Sequence, residues 1–142
     1  MKESREKRRR AAEDPHASIS KLRALALDKD AQVRNGVARN HRAPFDLLST
    51  LAQDIEWFVR HGVASNLSTP SELLSVLAKD EHWFVRHGVA RNQSTLTETL
   101  EILADDPVEL VRGAAKGAWR SMPGWWLEQG ARDLVHTKRL KA

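Results

Sequence analysis

The segment VRNGVARN at residues 33–40 decides the fold, because the chain repeats it at a fixed interval. It returns as VRHGVASN at 59–66, as VRHGVARN at 85–92 and in a weaker form as VRGAAKGA at 111–118. Each copy follows the last by 26 residues. A period of this length is typical of proteins built from stacked copies of one small supersecondary unit.

The sequence of each unit predicts two short helices joined by a turn. In the third unit we expect Thr69 to be the N-cap of the first helix, with Pro70 at its first position and Glu72 completing a capping box. Thr95 and Glu98 repeat that box one unit later. Leucines at helical spacing predict the buried face of this helix. They are Leu73, Leu74 and Leu77.

The second helix of each unit is expected to begin at an aspartate and to end at an asparagine. Asp54, Asp80 and Asp106 recur at the 26-residue interval, and aspartate is a favoured N-cap. Asn92 would close its helix in the left-handed conformation that asparagine tolerates. A pair of helices this short cannot bury its apolar face alone. Neighbouring units must therefore stack on one another. The sequence therefore predicts an all-α fold, an α-solenoid of about four to five two-helix repeats with a C-terminal helical cap.

The two ends of the chain differ from the repeat array, which is expected to span residues 21–118. Residues 1–20 predict a basic N-terminal capping helix or arm, and residues 119–142 a tryptophan-rich C-terminal cap. In that cap Trp125 and Trp126 hold positions that earlier units give to leucine. Large aromatic side chains there would cover the end of the core, so we expect the array to stop at this point.

The motif VRxxVAxN, followed by a proline-containing turn, LL, LA and D, resembles the leucine-rich repeat variant family over roughly residues 8–118. The resemblance implies a short helical solenoid in which the second helix of a unit can be of the 3₁₀ type, and it implies no general enzymatic activity. Some members carry an iron–sulfur cluster on N-terminal cysteines, a role this chain does not inherit because it has no cysteine. More distantly the chain resembles HEAT-like arrays, in which aspartate and arginine tie neighbouring units together.

Composition and charge exclude several classes of protein. No apolar run approaches the ~20 residues that cross a bilayer, and the absence of cysteine rules out disulfides and thiolate metal sites. We expect a cytoplasmic protein without a cofactor. The net charge of +4 is uneven: residues 1–40 hold 11 Lys and Arg against 6 Asp and Glu, whereas residues 41–106 hold 5 against 10. A uniform nucleic-acid-binding stripe would not have this acidic middle.

Positions that change from unit to unit are candidates for function, because the fold does not require one residue there. Trp57 and Trp83 lie at such a position, and a helical projection turns them and the histidines four residues later away from the buried valines. We expect a protein partner to bind this surface, which comprises Trp57, Arg60, His61, Trp83, Arg86, His87 and Arg91. In the alternative interpretation the tryptophans pack between units, and the arginines pair with the aspartates.

Nucleic acid is the alternative partner, with bases stacking on the tryptophans and phosphates meeting the basic N-terminus. The residues concerned are Lys2, Arg5, Lys7, Arg8, Arg9 and Arg10. The same segment also fits a capping helix, since Arg8 lies one period before Arg34.

Catalysis has little support in the sequence. No phosphate-binding loop, HExxH motif or Ser-His-Asp arrangement occurs, and His61 and His87 lie on separate units without a carboxylate partner for a metal site. One enzymatic alternative is a helical-repeat DNA glycosylase-like activity, which would use Trp57, Trp83, Arg60, Arg86 and Glu56. We expect a non-enzymatic scaffold that binds another macromolecule.

Overall fold

The computed structural model describes residues 3–120, and in this range the chain forms nine α-helices and no strand. The helices are α1 (Arg5–Glu13), α2 (Ile19–Leu25), α3 (Ala31–Arg39), α4 (Phe45–Leu51), α5 (Trp57–Ser65), α6 (Ser71–Leu77), α7 (Trp83–Arg91), α8 (Thr97–Leu103) and α9 (Glu109–Arg120). Trp125 and Trp126 of the expected cap lie outside the described residues, as does Lys2.

Long and short helices alternate along the chain. The helices α1, α3, α5 and α7 have nine residues and the helices α2, α4, α6 and α8 have seven. The long helices pack one against the next, from α1 through to α9, and short helices connect them. The predicted all-α solenoid is therefore confirmed, with α-helical rather than 3₁₀ geometry in both helices of each described unit.

One valine and one leucine from each unit form the centre of the core. Val33, Val59, Val85 and Val111 are fully buried, and so is Val89, which shares a face with Val85. Leu22, Leu48 and Leu74 of the short helices are buried against them. Burying one such side chain stabilises the fold by about 1.5–3 kcal/mol, so the stack of units holds each helical pair together.

Glycine permits the long helices to approach closely. A Cβ atom added at Gly62 of α5 would lie 2.6 Å from Asn35 Oδ1 and 3.0 Å from Ala38 Cβ on α3. Both distances are shorter than ordinary van der Waals contact, so no larger residue fits without moving α3. The G in each VRxGVA motif is thus a contact between units.

The expectation that the recurring aspartates are N-caps is wrong. The N-cap of α7 is His82, whose Nδ1 accepts a hydrogen bond from the backbone N–H of Phe84 at 3.2 Å. Asp80 lies two residues earlier, and its Oδ1 accepts from the His82 N–H at 2.9 Å. Its carboxylate also binds Arg60 of the preceding unit, which is why an aspartate recurs there. Asp54 and Asp106 have the same arrangement.

The recurring asparagines end the long helices, but not in the left-handed conformation. Asn92 has extended backbone angles, with φ −80° and ψ 126°, and no described residue has positive φ. Its side-chain Nδ2 donates to the carbonyls of Ala64 (2.8 Å) and Asn66 (3.0 Å) in the preceding unit, and its Oδ1 accepts from Ser94 N. The buried Nδ2 group is satisfied by two carbonyls of the preceding unit, so asparagine is a second tie between repeats.

The predicted capping boxes are also wrong. Pro70 is the N-cap of α6, and Leu96 is the N-cap of α8. The buried hydroxyl of Thr69 instead donates to the carbonyl of Val63 at 2.7 Å, and Thr95 does the same to Val89. Each threonine therefore satisfies a carbonyl at the end of the preceding long helix rather than an N–H of the next one.

Candidate partner-binding surface

The motif arginines form a ladder with the aspartates of the following unit. Arg60 donates from Nε to Asp80 Oδ2 at 2.7 Å and from Nη2 to Oδ1 at 3.1 Å, a bidentate pair. Its Nη1 donates to the carbonyl of Asp54 at 2.7 Å. Equivalent ion pairs join Arg8 to Asp28, Arg34 to Asp54 and Arg86 to Asp106.

This arginine–aspartate ladder corrects the predicted binding surface. The side chain of Arg60 is only 10% exposed and that of Arg86 only 13%, and both are fully engaged within the solenoid. Burial alone would raise the pKa of Asp106, but the hydrogen bonds from Arg86 and a backbone N–H outweigh it, so the pKa lies below its usual value. The ladder holds units together, which leaves neither arginine as the edge of an exposed patch.

Aromatic side chains pack along the interface between α5 and α7. We call this set the aromatic seam; it comprises Trp57, Phe58, His61, His82, Trp83, Phe84 and His87. The indole of Trp57 stacks on the imidazole of His82, with ring centroids 4.3 Å apart and planes 3° apart. Trp57 therefore packs across the boundary between two units.

Phe84 lies at the centre of the aromatic seam and stacks on two of its histidines. Its ring stacks on His61 of α5 at 4.4 Å and on His87 of its own helix at 5.7 Å. Trp57 and Trp83 meet the same ring edge-on, at 5.6 Å and 5.2 Å. Edge-to-face and stacked pairs of this kind contribute about 0.5–1.5 kcal/mol each beyond burial, so these contacts restrain the aromatic rings.

The tryptophans nevertheless remain partly exposed. Trp57 is 37% exposed and Trp83 is 36% exposed. The same position holds Ala31 on α3 and Glu109 on α9, so among these four helices α5 and α7 alone carry tryptophan there. Packing between units and exposure to solvent, which the sequence offered as alternatives, are both properties of these side chains.

Two histidines of the seam, His61 and His87, have lowered pKa values. Burial is the main cause for His61, followed by the positive charge of Arg39 and the neighbouring histidines. Burial and then Arg91 lower the pKa of His87. Both imidazoles are therefore neutral at pH 7, and His61 Nε2 lies 3.3 Å from the hydroxyl of Ser65.

A groove of about 350 Å³ runs beside these histidines, between the C-terminal halves of α5 and α7. Polar or charged groups line it at His61, Ser65, His87 and Arg91, with Phe84 as its aromatic wall. Gly88 leaves room for His61, since a Cβ there would lie 3.1 Å from the imidazole Cδ2. The sequence interpretation named His61, His87 and Arg91 but missed the groove, because its walls come from two units.

Two further residues of this surface escaped the sequence interpretation. His82 stacks on Trp57, and its position holds Asp30, Glu56 and Val108 in other units, a variation that marks it as a candidate by the same criterion as the tryptophans. Arg39 is exposed at the end of α3, and its charge acts on His61 in the next unit.

The basic residues proposed for nucleic-acid binding mostly lie in ion pairs on α1. Arg5 pairs with Asp30, Lys7 with Glu3, Arg8 with Asp28, Arg9 with Glu6 and Glu13, and Arg10 with Glu6. Arg8 takes its place in the arginine–aspartate ladder, and α1 packs on α3. The described part of this segment is thus a helix that covers the first unit.

Neither a metal cluster nor a membrane span is found in the described part of the chain. Between residues 3 and 120 no three His, Asp or Glu side chains are grouped in a way that holds a metal ion. No helix in that range is long and apolar enough to cross a bilayer.

The stacked units, ladder and aromatic seam define a helical-repeat protein. A solved structure described as a leucine-rich repeat variant with a novel repetitive protein structural motif is similar to this chain, at 28% identity and a TM-score of 0.47. The match covers 82% of this chain and 56% of that one, so the chain spans just over half the length of its relative. The description of that structure names the same repeat family that the VRxxVAxN motif resembles. No family model matches the sequence, and none of the curated proteins does.

Proposed function

We propose that this protein is a non-enzymatic scaffold that binds a protein partner through the exposed surface of α5 and α7. The residues of that surface are Trp57, His61, Trp83, His87 and Arg91. The observation that carries the proposal is the exposure of about a third of each tryptophan side chain, on two adjacent units and at a position where the fold accepts alanine or glutamate. The stack on His82 accounts for the covered face of Trp57 but not for the part of the indole that is open to solvent.

The rigidity of the aromatic seam favours a role in binding. Tryptophan is the residue most enriched at the energetic centres of protein interfaces. Trp57 is already held by its stack on His82, so a partner that contacts it immobilises little additional side-chain motion. Ordering a mobile side chain at an interface costs about 0.5–1.5 kcal/mol, and preorganisation removes most of that cost.

A protein fits the surrounding charges better than a nucleic acid does. Residues 41–106, which carry the aromatic seam, hold 5 Lys and Arg against 10 Asp and Glu. Two of the five, Arg60 and Arg86, are taken up by the arginine–aspartate ladder. The remaining positive charges give a phosphate backbone few contacts, whereas protein interfaces combine aromatic residues with single arginines.

The experiment compares two double variants of the immobilised protein as baits in a nuclease-treated extract. W57A/W83A removes the exposed indoles, and V76A/I102A removes two exposed apolar side chains from the short helices α6 and α8. A partner identified with the unmodified protein should be lost by the first variant, kept by the second, and bind as a purified protein. Circular dichroism melts of each bait exclude unfolding as the cause, and W57F/W83F, which keeps the ring packing, replaces the alanine variant if that one melts early.

Fluorescence anisotropy with labelled single- and double-stranded nucleic acid tests the alternative partner. Submicromolar binding that persists at physiological salt would replace the protein proposal with the nucleic-acid one. Binding seen only at low salt is general attraction between charges and leaves the proposal standing.

A further inference from the structure

The groove between α5 and α7 is lined by one arginine and two histidines and by no carboxylate of the described chain. The ladder arginines each bind an aspartate, but Arg39 and Arg91 form no ion pair or side-chain hydrogen bond within the described chain. Arg91 lines the groove, and the charge of Arg39 reaches His61. Among the described residues no acidic side chain lines this groove.

The groove offers several hydrogen-bond donors around one space. His61 and His87 both stack on Phe84, at 4.4 Å and 5.7 Å between ring centroids, so their rings are held roughly parallel. The hydroxyl of Ser65 is 3.3 Å from His61 Nε2, and Arg91 adds a guanidinium. A planar oxyanion is the ligand that guanidinium and imidazole N–H groups bind best.

The charged groups on every neighbouring element are consistent with an anion site. Two groups from neighbouring elements act on His61. They are Arg39 at the end of α3 and His82 at the N-terminus of α7. Helix α9 contributes Glu109, which lines the next groove along together with His87 and Arg91 and forms no ion pair with either. Within residues 3–120, the carboxylate that shares a groove with His87 and Arg91 is therefore that of Glu109, in the groove between α7 and α9 rather than in the one between α5 and α7.

We propose that this groove binds a side-chain carboxylate of an acidic residue in the protein partner, next to the tryptophans. The inference rests on the proposed function and names the chemistry of the segment that docks: an acidic residue beside an apolar one. A single carboxylate reaches Arg91 without approaching the N-terminal ends of the helices. A nucleic acid that extended to those ends would meet Glu56, the N-cap residue of α5, and Glu81, whose side chain is 92% exposed and lies about 15 Å from Arg91 along α7.

Protonation of the histidines strengthens the same site. At pH 7 both imidazoles are neutral, so the arginines supply the charge. As the pH falls, His61 and His87 gain protons and become cations that attract the carboxylate. By linkage, a bound anion raises the pKa of each imidazole, so affinity increases toward acidic pH until the ligand carboxylate is itself protonated.

The test uses N-acetylglutamate as the probe and the imidazole Cε1–H signals of His61 and His87 in NMR spectra as the readout. At constant ionic strength, saturable shifts of both signals are expected, with tighter binding at pH 5.5 than at pH 7.5. Arg91→Gln should weaken binding about tenfold. Lys79→Gln, which removes an equal charge from an exposed position at the end of α6, should leave binding unchanged.

Three results would overturn the inference. They are the absence of saturable shifts, equal weakening by Arg91→Gln and Lys79→Gln, and far tighter binding of a thymidine decamer than of N-acetylglutamate with the same dependence on Arg91. The first two would leave the tryptophan surface and its protein partner untouched, because the W57A/W83A capture experiment does not depend on the groove. The third would assign the groove to nucleic acid.

Discussion

The indole of Trp57 lies flat against the imidazole of His82, with centroids 4.3 Å apart, and so joins the first turn of α5 to the N-cap of α7. His82 has a second role there, because its Nδ1 caps the Phe84 N–H. One face of the indole is covered by the next unit, while a third of the side chain is open to solvent. The relationship makes Trp57 both a structural residue and a rigid contact for a partner.

The two roles of His82 can be separated by substitution. Asparagine retains a side-chain N-cap but loses the stacked ring, so His82→Asn should lower the free energy of unfolding by about 1 kcal/mol. Alanine loses both, and His82→Ala should cost about 2 kcal/mol. Urea unfolding followed by circular dichroism measures both values, and a His82→Asn variant as stable as the unmodified protein would show that the stack contributes nothing.

The arginine–aspartate pairs of the ladder should stabilise the fold far more than an exposed arginine–aspartate pair does. Arg60→Ala leaves the buried Asp80 carboxylate without its partner and should destabilise the solenoid by about 3 kcal/mol or more. Arg23 and Asp46 form a bidentate pair with similar distances, but half or more of each side chain is exposed. Arg23→Ala should therefore change the melting temperature very little, and equal losses from both variants would refute the role given to the ladder.

Two glycines of the long helices, one closely packed and one in open space, should respond oppositely to alanine. Gly62→Ala forces a Cβ against Asn35 and Ala38, so it should lower the melting temperature and separate α3 from α5. A Cβ at Gly113 meets no atom of the described chain within 4 Å, and alanine is the better helix former by about 1 kcal/mol. Gly113→Ala should raise the melting temperature, and a loss from that variant comparable to Gly62→Ala would contradict close packing as the reason for glycine.

Stability should decrease as the solution becomes acidic, starting near pH 6.5. His61 and His87 have folded-state pKa values below those of the unfolded chain, so the unfolded chain binds more protons as the pH falls through that window. The stabilisation is present above the unfolded pKa and is lost as the pH falls through the folded pKa. Melting temperatures between pH 7.5 and 5 measure it, and H61N/H87N should flatten the slope; an unchanged slope would place its origin elsewhere.

The repeat made the order of helices predictable, but not the bonds between units. The interval from Val59 to Val85 located the buried face of each long helix, because the core repeats with the sequence. Local rules predict Asp80 and Asn92 as caps of their own helices, because such rules consider only neighbours along the chain. Their partners, Arg60 and Ala64, lie 20 and 28 residues earlier.

The candidate surface was predictable only in part for the same reason. A helical projection turns Trp57 away from Val59, and its exposed edge agrees with that prediction. The stack on His82 depends on how closely α5 approaches α7, a distance set where Gly88 meets His61 and Ala64. No property of a single helix specifies that contact.

The most direct test of the central claim is the affinity of a purified partner for four forms of the protein, measured by isothermal titration calorimetry. Those forms are the unmodified chain and the variants W57A/W83A, W57F/W83F and V76A/I102A, each first shown by circular dichroism to be folded. A surface centred on Trp57 and Trp83 predicts that the alanine variant loses at least a hundredfold in affinity, that the phenylalanine variant loses less, and that V76A/I102A binds normally. Equal affinity of all four forms would contradict the claim that this surface binds the partner.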